Sequence, residues 1–198
     1  FSWCAANKVK VKSDDISSAY LQGKENERLI LYRIPKGGIP EEGVEEGDVI
    51  AARVPIYGTV DAGRGFWLKL NEVVLKEGYT LNQILPALFT FSDKGKIAGV
   101  LSSNVDDLLH GELPEFEEPM QRILEAFSCR DQNIDQFRFC GKEVIQHADF
   151  SITVTAKDNT EKIRPINIGG HRKLTDKCNA EETTCLRSVV AALSWVAR

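Results

Sequence analysis

No apolar run in this sequence approaches the length that spans a bilayer, and no basic-then-apolar segment opens it, so nothing in it directs the protein to a membrane or to export. Internal repeats and low-complexity segments are missing too. The five cysteines, Cys4, Cys129, Cys140, Cys178 and Cys185, are odd in number and lack Cys-x-x-Cys spacing; they read as reduced intracellular thiols rather than a disulfide framework. The three histidines, His110, His147 and His171, lack the i, i+4 spacing of a helical zinc pair. An excess of basic charge is also absent. The net charge of −4 argues against a surface that clings to nucleic acid over its whole extent, while leaving room for a local basic channel. The length and apolar fraction suit an ordinary soluble globular protein of one large domain or two small ones. Phe1 in place of an initiator Met, and a last segment that stops inside the helical pattern Leu186-Arg-Ser-Val-Val, read as cuts through a longer polypeptide.

What is present centres on Ile97-Ala-Gly-Val-Leu-Ser-Ser-Asn-Val-Asp-Asp-Leu-Leu-His110. It sets two adjacent carboxylates, Asp106 and Asp107, between apolar runs that read as short buried strands, at the point where the chain reverses. Asp is a good turn residue. Two anions at a sheet edge also repel each other, and a divalent cation relieves that repulsion. Upstream, Lys8-Val-Lys-Val-Lys-Ser-Asp-Asp15 alternates strictly, so Val9, Val11, Ser13 and Asp15 share one face and Lys8, Lys10, Lys12 and Asp14 the other. Asp15 thus ends a strand on its apolar face, either as the cap of a following helical turn or as a third carboxylate. Arg64 to Gly78 places Phe66, Leu70, Val73 and Val74 at helical spacing, and Phe116 to Phe127 is a second amphipathic helix with Pro119 in its first turn. Pro86 to Leu101 reads as a hairpin turning at Asp93-Lys-Gly95. Leu29 to Ile34 and Val49 to Ile56 are strands around a solvated acidic loop from Glu41 to Asp48. Phe137 to Ile145 and Phe150 to Thr155 form a further strand pair, and a last helix starts near Glu181 in a separate subdomain. A small antiparallel sheet backed by two helices follows, an α+β architecture.

Read in order, Asp15-Ile-Ser-Ser-Ala-Tyr-Leu-Gln-Gly23, Ile56-Tyr-Gly58 with Arg64-Gly-Phe-Trp67, Val105-Asp-Asp107, Phe139-Cys-Gly-Lys-Glu-Val144 and Leu186-Arg-Ser-Val-Val resemble the blocks of the reverse transcriptase of copia-type LTR retrotransposons. The resemblance covers nearly the whole chain. It implies a right-hand polymerase: residues 1–20 as the first palm strand and its motif, 21–57 as partial fingers, 58–151 as palm with the Asp106-Asp107 hairpin and a primer-grip hairpin, and 152–198 as the truncated start of a thumb or connection. The implied activity is RNA-directed DNA polymerase, nucleotidyl transfer from a dNTP to a primer 3′-hydroxyl. Asp15, Asp106 and Asp107 would then be catalytic and hold two Mg²⁺ ions, with Mn²⁺ a possible substitute. Tyr20 would lie under the sugar of the incoming nucleotide and Gly141 in the primer grip. The implied partners are an RNA or DNA template with primer, dNTPs, and the RNase H and integrase of the same polyprotein outside this chain, with no membrane. The implied location is cytoplasmic, in a virus-like particle.

This sequence departs from the family pattern at Asn104, where the family has an aromatic, and at Val60-Asp-Ala-Gly63, which puts Asp61 where the family has a neutral Gln beside the nucleotide. A carboxylate facing a triphosphate is unfavourable unless it binds metal. Those departures suit a degenerate or domesticated copy that at most binds nucleic acid. Without the resemblance, the same aspartates suit a small metal-dependent phosphoesterase.

Overall fold

The computed structural model describes residues 1–130, 132–166, 173 and 175–197; His171 lies outside them. In chain order the elements are α1 (Ser2–Asn7), β1 (Lys12–Asp15), β2 (Ile30–Arg33), β3 (Val49–Ala52), α2 (Ala62–Lys76), β4 (Tyr79–Leu81), β5 (Leu88–Asp93), β6 (Lys96–Asn104), β7 (Asp107–Glu112), α3 (Glu117–Glu125), β8 (Asn133–Ile134), β9 (Gln136–Phe139), β10 (Lys142–Gln146), β11 (Ile152–Thr155), α4 (Lys157–Thr160) and α5 (Ala180–Val196). This is an α+β architecture of antiparallel sheets. No helix among the described residues is long and apolar enough to cross a membrane.

Tight turns set the frame. Lys94 and Gly95 take φ of 47° and 77°, the twist a two-residue hairpin needs, and they join β5 to β6. β6 returns through Val105 and Asp106 into β7. The six-stranded sheet runs β4-β5-β6-β7-β1-β8, so the early strand β1 is inserted between two late ones. On one face Phe89, Leu101 and Leu108 meet Phe66, Leu70 and Val74 of α2 and Met120 and Ile123 of α3 in a single buried cluster. Each large side chain buried there contributes about 1.5–3 kcal/mol. The expected spacing in α2 holds, and Gly78 follows it at φ 88°.

The opposite face carries Val9 and Val11, which bury with Cys4, Phe137 and Val144. A three-stranded sheet, β11-β10-β9, therefore sits against it. Gln146 ties the two together by accepting from the Val11 N–H and donating to the Val9 carbonyl, both at 2.9 Å. The segment expected as one strand from Phe137 to Ile145 is itself a hairpin, because Cys140 and Gly141 both adopt positive φ, 48° and 72°. A Cβ on Gly141 would stand 2.7 Å from Cζ2 of Trp195 in α5. Gly141→Ala should therefore lose about 1–2 kcal/mol through backbone strain alone and push the end of α5 away. Faster amide exchange across Ala180–Val196 is the expected signature, and unchanged exchange there would refute the contact.

Candidate functional site

The antiparallel register of β1 and β7 makes the last residue of one strand face the first of the other: Asp15 is the cross-strand partner of Asp107. Asp106 stands in the turn, one residue earlier than a turn centred on both aspartates would place it, and its carbonyl accepts the Ile16 N–H at 2.9 Å. Val105 completes that turn at φ 58°, a conformation a β-branched residue adopts only under strain. The three aspartates thus come together at one end of adjacent central strands, and Asp15 belongs to the strand rather than to a helix cap. Ser18, at φ 49°, precedes the short 3₁₀ turn Ala19–Gln22 instead.

Burial raises the pKa of the Asp107 carboxyl, and the neighbouring Asp106 and Asp15 raise it further, while the Cys140 backbone N–H, donating to it, opposes the shift. The tip of the β9–β10 hairpin therefore touches the carboxylates directly. Arg130 lies on their other side, its Nε 3.2 Å from Oδ1 of Asp15. An all-oxygen donor set with a repulsion-raised carboxyl fits a hard divalent cation. Among the described residues, no group of three or more His, Cys, Asp or Glu side chains is drawn close enough to hold a metal ion.

A folded-state pKa above the unfolded value means that ionised Asp107 destabilises the fold. The penalty is absent below the ordinary carboxyl range and fully present above the raised value. Asp107→Asn should consequently stabilise the chain at neutral pH and leave it unchanged near pH 3. Urea titrations at the two pH values check this, and destabilisation at pH 7 would contradict it.

Tyr20 is half-buried against the helix-side core, with its ring 4.7 Å from that of Tyr57. Asp61 is held 2.5 Å from Arg28, so its charge is paired. Gly141 is exposed at the hairpin tip, and its carbonyl accepts from Asn159 Nδ2 at 2.9 Å.

Sequence reasoning missed a second cluster behind the aspartates. The face of β1 that alternation assigns to Lys12 and Asp14 is buried, because α2 and α3 cover it. His110 Nε2 lies 2.7 Å from an Asp14 carboxylate oxygen and its Nδ1 2.6 Å from one of Glu112, both within hydrogen-bond reach. Gln132 also reaches Asp14, at 3.1 Å, and Lys12 contacts Glu117 at 2.9 Å and Glu112 at 3.5 Å. Burial alone would lower the His110 pKa, but hydrogen bonding to the Asp14 and Glu112 carboxylates more than offsets it, and it lies above its ordinary value. The legible signal was charge at i, i+2 on two neighbouring strands, Lys12 with Asp14 and His110 with Glu112. No family model matches this chain, and no curated protein matches it in sequence.

Proposed function

We propose that this chain is the palm-centred part of a copia-type reverse transcriptase, an RNA-directed DNA polymerase acting on a primed RNA or DNA template with dNTPs. The observation that carries the reading is the pairing of Asp15 with Asp107 across adjacent strands, with Asp106 in the intervening turn. These are the residues that match the family's catalytic aspartates. Asp15, Asp106 and Asp107 would hold two Mg²⁺, which would make the primer 3′-hydroxyl more acidic and neutralise the departing pyrophosphate.

The chain's own groups do the positioning. The Cys140 N–H holds Asp107, and the Gly141 hairpin, where the backbone is bare, would let a primer strand approach closely. Tyr20, five residues beyond Asp15 and braced by Tyr57, would set the floor under the deoxyribose and obstruct a 2′-hydroxyl sterically. Residues 21–57 contribute the β2–β3 hairpin to the fingers, and 152–198 begin the thumb.

Mg²⁺-dependent extension of a primed template by this chain, joined to the fingers the family places upstream, tests the proposal. Cleavage of a nucleic acid in the absence of dNTPs, without extension, would favour a phosphoesterase instead. A non-catalytic copy is the second reading, favoured by the Arg28–Asp61 ion pair, which occupies a position the family keeps neutral. Template binding without extension would establish it.

A further inference from the structure

β1 has four residues, and its neighbour β8 pairs only with Lys12 and Ser13. Beyond that point Asp14 and Asp15 keep β7 on one side and, on the other, the Arg130 N–H that reaches the Asp15 carbonyl at 2.9 Å. A strand end of this kind frays unless side chains hold it. The holding group lies on the reverse face. His110 stands opposite Lys12 in the register of β1 and β7, which makes Asp14 its diagonal neighbour. Its Nε2 lies 2.7 Å from Oδ2 of Asp14, and Gln132 Nε2 donates to the same oxygen at 3.1 Å. A buried side-chain tie therefore spans β7, β1 and the segment leading into β8, at the level where ladder pairing to β8 has stopped.

Only the imidazolium completes this tie. Both ring nitrogens face carboxylate oxygens, of Asp14 and of Glu112, and a neutral imidazole has one N–H for the two. Charge gives the same answer: Lys12 and protonated His110 balance the buried Asp14 and Glu112, whereas a neutral ring leaves an excess negative charge in the core. The other groups of the cluster are Glu117 of α3, paired with Lys12, Tyr79 of β4, whose hydroxyl is kept protonated by burial and then by Glu112, and Cys129, whose thiol burial and then Asp14 and Asp15 push up to about 11. Neither the phenol nor the thiol titrates near neutrality. We infer that His110 is a positioning residue for the carboxylate site: as an imidazolium it draws Asp14 against β7 and thereby holds Asp15 opposite Asp107, in the register that a shared divalent cation needs. The inference rests on the reading of Asp15, Asp106 and Asp107 as a cation site.

Two effects oppose each other when that imidazolium is lost. Removing a positive charge from behind the carboxylates would by itself tighten cation binding, whereas loosening Asp15 weakens it. The sign of the change therefore separates positioning from plain electrostatics. Mn²⁺ alone is the first probe, its binding to the whole chain followed by calorimetry for wild type and His110→Gln at a temperature where melts show both folded. His110→Gln should bind Mn²⁺ roughly tenfold more weakly, the size of loss that follows when support behind metal ligands is removed. The second arm needs no variant. The folded-state pKa of His110 is raised, so the tie is complete below the ordinary value of 6.5 and is lost as pH rises through the raised value. Mg²⁺ affinity of the wild-type chain should accordingly fall on the alkaline side, with melts confirming the folded state at each pH, and the fall should be missing in His110→Gln. A merely structural role would lower the melting temperature and leave both cation measurements unmoved. Should His110→Gln not fold, the wild-type profile decides alone. Binding by folded His110→Gln as tight as wild type or tighter, or a wild-type Mg²⁺ affinity that is flat or rising through alkaline pH, would overturn the inference and leave the carboxylate site standing. No binding of either cation by wild type would overturn the cation site itself, and the inference with it.

Discussion

His110→Leu should cost the chain about 3–5 kcal/mol, the usual penalty for removing one partner of a buried ion pair. The imidazole is 0% exposed and lies between Asp14 and Glu112, themselves 3% and 1% exposed. Leucine would leave two carboxylates in the core with Gln132 and Lys12 as their remaining partners. That cost is a large share of the 5–15 kcal/mol of a typical domain. Its pH dependence has a definite sign. Because the folded-state pKa is raised, the stabilisation from protonated His110 is full below the ordinary value of 6.5 and is lost as pH rises through the raised value. Denaturant titrations should show the widest gap between wild type and variant below pH 6 and a narrower one in alkaline solution. Other ionisable groups of the cluster, Lys12 paired with Glu112 and Glu117 and Tyr79 beside Glu112, set the background against which this is read. Tyr79 is pushed up by burial and then by Glu112, and its hydroxyl has no hydrogen-bond partner among the described residues. A second change, Glu112→Gln in the His110→Leu chain, should recover part of the loss by removing a stranded charge. A penalty under 1 kcal/mol would mean that the cluster is hydrated rather than buried.

Asp106→Asn should lower Mg²⁺-dependent primer extension by on the order of 10³-fold, a loss of several kcal/mol of transition-state stabilisation. The side chain keeps its size and the backbone bond from Ile16 to the Asp106 carbonyl is untouched, so the fold should survive. What disappears is one of three negative charges, with two consequences of opposite kind. The affinity for Mn²⁺ should fall, and Asp107 should become a stronger acid because one of the charges that raise its pKa is gone. The first is measured by calorimetry and the second by carboxyl NMR titration. Retained extension activity together with a shifted Asp107 titration would separate the electrostatics, which the geometry supports, from the catalytic role.

The parts of this architecture legible in the sequence are those governed by local period. Phe66, Leu70 and Val74 announce α2, and Lys94-Gly95 announces a hairpin. Alternation in β1 correctly divides Val9 and Val11 from Lys12 and Asp14. It cannot say that both faces are covered, because coverage depends on where α3 and the β9–β11 sheet dock, and that is a property of distant residues. The charged face of β1, which alternation assigns neither to core nor to solvent, is a buried ion cluster. The Cys140-Gly141 turn leaves no mark in the otherwise continuous β pattern, since a non-glycine residue at positive φ has no compositional signal; only the family resemblance, which puts Gly141 in a hairpin, pointed to it. Asp15 could be brought beside Asp107 only through the family resemblance; nothing local links residues so far apart.

The insertion of β1 between β7 and β8 has a kinetic consequence. At roughly 5–20 residues per second of synthesis, β1 leaves the ribosome several seconds before either neighbour exists. Until then Lys12 and Asp14 remain in water and Asp15 faces nothing. The hairpins β4–β5 and β5–β6 close early through local contacts, whereas β1 must wait for pairings of high sequence separation, which form slowly. The carboxylates that define the site are consequently assembled among the last events of folding, so a chain halted before Asp107 would carry helices and hairpins but no charged cluster at all.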